Sequence, residues 1–133
     1  MKTSSLTTDG MTAGDFGNLG ALLMQMGQHR RAVEALSAAA VMEPDSPVHL
    51  FNQASALSAL GQFGKAEAVF RRCIALAPEV AGAHIGLGIV LAETHHLAAA
   101  ADEFRSALRL LPDDPAALEN LKRAESMMES QGR

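Results

Sequence analysis

Histidine has the widest chemical range of the side chains in this sequence, because its ring nitrogens can bind a metal or transfer a proton near neutral pH. Two histidines four residues apart share one face of a helix and could hold a metal together. No two histidines here have that spacing, and two are adjacent in a predicted turn. The sequence therefore predicts structural or solvent-exposed histidines and no metal site. They are His29, His49, His84, His95 and His96.

The other candidates for covalent or nucleotide chemistry are equally isolated. Cys73 is the single cysteine, so it can form neither an internal disulfide nor a cysteine zinc cluster, and its predicted place is the core. Gly86-x-Gly88 lacks the third glycine of a dinucleotide fingerprint, and Gly64-Lys65 lacks the Ser or Thr of a phosphate loop. No acid–base pair or activated nucleophile is recognisable. We therefore predict that the protein is not an enzyme and needs no cofactor.

The charge balance limits the partners. The chain carries 11 Lys and Arg against 15 Asp and Glu, a net charge of −4. Such a chain cannot supply the broad cationic face that attracts nucleic acid or an anionic membrane. The longest apolar run, residues 85–92, is far shorter than a membrane-spanning helix. We expect a cytoplasmic protein in a reducing compartment, with no nucleic-acid partner and no membrane insertion.

The elements that would position these residues repeat along the chain. Pro44, Pro78 and Pro112 are 34 residues apart. Hydrophobic residues are 48% of the chain and aromatic residues only 4%, which favours helices packed through small side chains. Apolar positions three and four apart predict first helices over 15–26, 48–60 and 82–94, and second helices over 29–42, 63–76 and 97–110. Further triplets keep the same step: Leu23, Leu57, Leu91; Gly20, Ala54, Gly88; Ala32, Ala66, Ala100; and Leu36, Phe70, Phe104. The last three of these triplets are predicted to be core.

This 34-residue unit of two helices, with small residues in each helix and a proline after the second, resembles the tetratricopeptide repeat (TPR). The resemblance predicts an all-α solenoid of three repeats at 13–46, 47–80 and 81–114. In the third repeat His84 replaces the usual aromatic residue and His95 the usual turn glycine. An amphipathic segment at 115–133 is predicted to cap the array as a seventh helix, and residues 1–12 are expected to be a flexible tail.

The family resemblance also implies where a partner would bind. In TPR proteins the concave side, formed by the first helix of each repeat, is the usual peptide-binding groove. In this chain the groove positions include no Lys or Arg, one carboxylate and several apolar side chains. Among the apolar ones, Phe51 and Ile85 are predicted to face the concavity. The predicted site residues are Asn18, Met24, Val48, Phe51, Asn52, Ser55, Ile85, Ile89 and Glu93.

An apolar concave groove predicts a protein-interaction module that binds a peptide or helical segment of another protein. A basic clamp for a terminal carboxylate, as in relatives that bind Hsp70 and Hsp90 tails, is not expected because the groove has no Lys or Arg. Two alternatives stay open. Small bacterial three-repeat relatives are secretion-type chaperones for exported proteins, and a self-assembling scaffold would make the protein a homo-oligomer.

Overall fold

The computed structural model describes residues 9–132, which form seven α-helices and no strand. This confirms the all-α solenoid of three helix pairs with a seventh, capping helix. Residues 1–8, the larger part of the predicted tail, and Arg133 lie outside the described residues. The helices are α1 (Ala13–Gln25), α2 (His29–Met42), α3 (Pro47–Ala59), α4 (Phe63–Leu76), α5 (Ala81–Glu93), α6 (Leu97–Leu110) and α7 (Pro115–Gln131).

The helix ends follow from local capping. The second helix of each pair has the predicted bounds, and the first helices start one or two residues earlier than predicted. Ser46 and Asp114 accept hydrogen bonds from backbone N–H groups of the first turns of α3 and α7, each followed by a proline at the first helical position. Thr12 caps α1 reciprocally with Asp15, at 3.1 and 2.9 Å. Thr12 therefore belongs to α1 and not to the predicted tail.

The turn inside each helix pair uses one left-handed residue. Gly27 and Gly61 have φ of 76° and 84°, and His95 takes the same position with φ of 66°. In all three turns the next residue donates its N–H back to the helix, over 2.9 Å from Gln28 and Gln62 and 2.7 Å from His96. The third turn thus keeps the shared geometry although it lacks the glycine that this conformation favours.

The helices form two layers. Each odd-numbered helix contacts the next odd-numbered one, whereas α2, α4 and α6 make no direct contact with one another in residues 9–132. The layer whose helices touch must be the inner side of the curve. The concave surface is therefore formed by α1, α3, α5 and α7.

The core depends on large side chains that lie against glycine backbone. Phe70 and Phe104 are 1% exposed, as the repeat pattern predicted. A Cβ placed on Gly86 would overlap the ring of Phe70, and one on Gly88 would overlap the ring of Phe104. The Gly86-x-Gly88 pair is therefore a packing device, in which α5 receives one ring from α4 and one from α6.

We expect Gly88→Ala to destabilise the protein by about 1–3 kcal/mol, because the buried ring of Phe104 must shift to admit the new methyl group. Gly64→Ala is the matched control, since no atom lies within 4 Å of a Cβ at this helical position. Removing flexibility there should stabilise the protein by about 0.4–1 kcal/mol. Urea unfolding of the two variants tests both signs, and equal stabilities would contradict this packing.

We expect His95→Gly to raise the free energy of unfolding by about 1 kcal/mol, because a side chain at positive φ is strained where glycine is not. The converse change, Gly61→Ala, should lower it by a similar amount. Thermal unfolding at neutral pH measures both. A destabilised His95→Gly protein would show that the histidine side chain contributes more than its backbone strain costs.

Candidate functional site

Charge is segregated between the helices. α1, α3 and α5 contain no Lys or Arg, and the described cations lie on α2, α4, α6 and α7. The concave surface is therefore almost without positive charge until the last helix.

Four of the predicted site residues line one cavity. This amino-terminal cavity has a volume of about 230 Å³ and lies between α1 and α3, with Leu36 of α2 at its base. Met24 and Phe51 provide apolar surface, while Asn52 and Ser55 provide polar groups. The Asn52 amide makes no hydrogen bond within residues 9–132 and is free to pair with a ligand. The full lining is Ala21, Met24, Leu36, Phe51, Asn52 and Ser55.

Two further predicted residues, Ile89 and Glu93, line a second cavity of about 380 Å³. This carboxy-terminal cavity lies between α5 and α7, over the ring of Phe104. Its other lining residues are Ala92 and His95 from the α5 end, and Asn120, Arg123, Ala124 and Met127 from α7.

The remaining predicted residues, Asn18, Val48 and Ile85, lie on the inner helices but line neither cavity. Val48 is 64% exposed and Asn18 is exposed. Both are accessible to solvent.

Phe51 and Ile85 have a structural role in addition to any binding role. Both pack against the main core cluster. The ring of Phe51 lies edge-on to that of Phe70, with centroids 6.3 Å apart, and also faces Gly82 of α5. Replacing either residue would disturb the contact between α3 and α5, so Val48 and Ile89 are better probes of binding.

Sequence reasoning missed the contribution of α7 to the concave surface. The prediction treated this helix as a cap, but Asn120, Arg123 and Met127 line the carboxy-terminal cavity. A signal was present in the sequence, because Asn120 lies two 34-residue steps after Asn52, with Gly86 at the step between them. The helix thus occupies the position of the first helix of a fourth repeat.

The carboxy-terminal cavity is lined by one carboxylate, Glu93, and one cation, Arg123. Arg123 is paired with Glu119 at 3.1 Å on its own helix. Glu93 forms no ion pair or side-chain hydrogen bond within residues 9–132, so its charge is available to a ligand.

Two of the five histidines join elements of the fold. His49 contacts a Glu43 carboxylate oxygen at 2.7 Å. His84 has Pro78 O at 2.8 Å from one ring nitrogen and Glu103 at 2.9 Å from the other. Within the part of the chain that the structure describes, no three His, Cys, Asp or Glu side chains come together as a metal site would require.

Cys73 is fully buried, with its Sγ 3.4 Å from the Pro47 carbonyl oxygen. Burial, and secondarily the charge of Glu79, raises the pKa of its thiol. The thiolate, which is the reactive form, is therefore disfavoured. Cys73 acts as a small apolar core residue, as the repeat register predicted.

None of the described helices combines the length and the apolar character that crossing a bilayer requires.

Comparison with known proteins identifies the repeat type. A sequence profile of the tetratricopeptide repeat family matches residues 18–72 and 51–115, which together span well over half of the chain. The chain is also similar to the solved TPR domain of Sgt2 from Aspergillus fumigatus, with a TM-score of 0.87 and 20% identity over 91% of this chain and 82% of that one.

Two further similar structures contain bound peptides. The first TPR of Spaghetti (RPAP3), bound to the HSP90 peptide SRMEEVD, has a TM-score of 0.86 and 22% identity over 93% of this chain and 98% of that one. The second TPR domain of human RPAP3, in complex with the HSP70 peptide SGPTIEEVD, has a TM-score of 0.82 and 21% identity over 86% of this chain and 96% of that one.

Proposed function

This chain belongs to the tetratricopeptide repeat family, and on that premise we propose that it is a non-enzymatic adaptor whose concave groove binds an apolar segment of another protein. The observation that carries the proposal is the pair of cavities on the concave side, lined largely by apolar groups from α1, α3, α5 and α7. Similar TPR structures contain peptides, which supports this class of ligand.

The groove combines the two kinds of contact that a peptide ligand needs. Apolar surface at Met24, Val48 and Ile89 would take side chains of the ligand and remove them from water. The free amide of Asn52 offers both a donor and an acceptor to the ligand backbone. Side-chain burial supplies affinity in this arrangement, and the amide fixes the ligand's position.

The charge of the groove limits the charge that the partner segment can carry. The peptides in the similar structures end in the acidic sequence EEVD. Here α1, α3 and α5 offer no cation to such a tail, and Arg123 of α7 is already paired with Glu119. Glu93 presents an unpaired carboxylate that would repel the tail. We propose that the natural partner segment is apolar and either neutral or basic.

We expect the double variant Val48→Glu and Ile89→Glu to weaken binding of the native partner by at least about tenfold, because a carboxylate buried in an apolar contact costs more than ~1.4 kcal/mol. The partner is first identified by copurification from the native cell, and its affinity for purified protein is then measured by calorimetry. Val48 and Ile89 are 64% and 37% exposed, so the fold should survive.

The matched control is Val41→Glu with Leu76→Glu. These residues are 80% and 44% exposed, but they lie on α2 and α4 of the outer layer. The control should retain the affinity of the native protein. Equal loss of binding in both double variants, with unchanged circular dichroism, would move the binding site away from the groove. Exported proteins among the captured partners would favour the secretion-chaperone alternative.

The HSP90 peptide SRMEEVD should show no measurable binding to this protein in calorimetry, because its carboxylates have no cationic partner on α1, α3 or α5. The affinity for the native partner should also change little with added salt, since few charges would be screened. Binding of SRMEEVD that salt abolishes would show that cations outside these helices form a clamp, and would refute the proposed partner chemistry.

A further inference from the structure

A second apolar surface lies at the amino-terminal end of the solenoid, on the side of α1 away from α3. We call it the end face. Leu22 and Met26 are 54% and 58% exposed, although both are large apolar side chains. They lie three or four residues from other apolar positions and therefore share one stripe of the helix. The end face consists of the partly or largely exposed side chains of Phe16, Leu19 and Leu22 of α1 and of Met26, which directly follows this helix.

The repeat register shows that this stripe is built to be covered. The positions 34 residues after Phe16 and Leu22 are Leu50 and Ala56, which are 2% and 0% exposed. Ala56 lies in one cluster with Ala32 and Leu36 of the preceding helix pair. In the first pair, no element of residues 9–132 lies in the corresponding place.

The opposite end of the solenoid is treated differently. There α7 covers the last repeat through Ala117, Ala124 and Leu121, and its outer surface carries exposed charged residues. Among them are Lys122 and Glu125. A polar outer face of this kind keeps a solenoid end in solution, and the end face lacks one.

Two residues of opposite charge, Arg31 and Glu34, lie beside the end face, so the same patch on a second copy could pair with them. Arg31 and Glu34 of α2 line a shallow cavity of about 230 Å³ together with Phe16, Leu19 and Leu23. Glu34 has no ion pair or side-chain hydrogen bond in the described part of the chain, and Arg31 bonds only the Gln28 side chain, at 2.7 Å. Around a two-fold axis, a contact between Arg31 of one copy and Glu34 of the other is necessarily matched by the reciprocal contact.

We propose that the end faces of two copies of this chain pack together about a two-fold axis and form a dimer. The apolar stripe of α1 supplies the buried area, and the two Arg31–Glu34 pairs across the axis fix the orientation. A second copy fits better than residues 1–8, whose sequence offers one leucine and one methionine to cover four large apolar side chains. Both concave grooves remain accessible, because the groove positions Asn18, Ala21 and Met24 lie on a different side of α1.

The experiment is sedimentation velocity at micromolar concentration. The native chain should have twice the 14.0 kDa mass of one copy. The double variant Leu22→Glu and Met26→Glu should shift to the mass of one copy with unchanged circular dichroism, whereas the matched control Leu76→Glu should remain a dimer. A native chain that is monomeric, or a double variant that remains dimeric, would overturn the proposal.

A charge exchange tests the symmetry itself. Arg31→Glu places like charges across the axis, and so does Glu34→Arg, so each variant alone should become monomeric. An equimolar mixture of the two should form a heterodimer, since each cation again faces a carboxylate. Failure of the mixture to associate would rule out the two-fold pairing. A chain that dimerises only after deletion of residues 1–8 would show instead that these residues cover the end face.

Discussion

The close approach of aromatic rings to bare helix backbone on α5 sets the geometry of the rest of the molecule. Phe70 from α4 lies on Gly86, and Phe104 from α6 lies on Gly88, so a single helix accepts a ring from the pair before it and from its own partner. Dense packing of this kind fixes the separation of helices to a fraction of an ångström. The second and third repeats are held together at this point, and the curvature of the concave surface depends on it.

The same packing explains how the third turn tolerates a histidine in a left-handed backbone conformation. Elsewhere a glycine provides the left-handed residue, but His95 adopts that conformation with the same backbone hydrogen bond as in the other turns. The strain of about 1–2 kcal/mol is tolerated because α5 and α6 are already positioned by Phe104 and Gly88. His95 consequently stands at the edge of the carboxy-terminal cavity, where its side chain can contact a ligand.

The division of charge between layers separates the surfaces of the protein. Arginines of the outer helices are engaged locally, as Arg71 is with Glu67 and Arg105 with Asp102. α1, α3 and α5 carry few charges, and of these Glu93 is unpaired. On α1 the proposed groove and the end face occupy different sides of one helix, so a partner in the groove and a second copy on the end face would not compete for the same residues.

The sequence alone determined the fold, the bounds of α2, α4 and α6, and the burial of Phe70, Phe104 and Cys73. These features depend on local pattern and on a period that is repeated three times. Only the tertiary structure decided that α7 lines the groove, that Phe51 also supports the core through Phe70 and Gly82, and that Leu22 is exposed where its repeat equivalents are buried. The physical reason is that the periodicity gives the side of a helix on which a residue lies. What that side meets depends on the neighbouring helix, and at the two ends of a solenoid the neighbour changes.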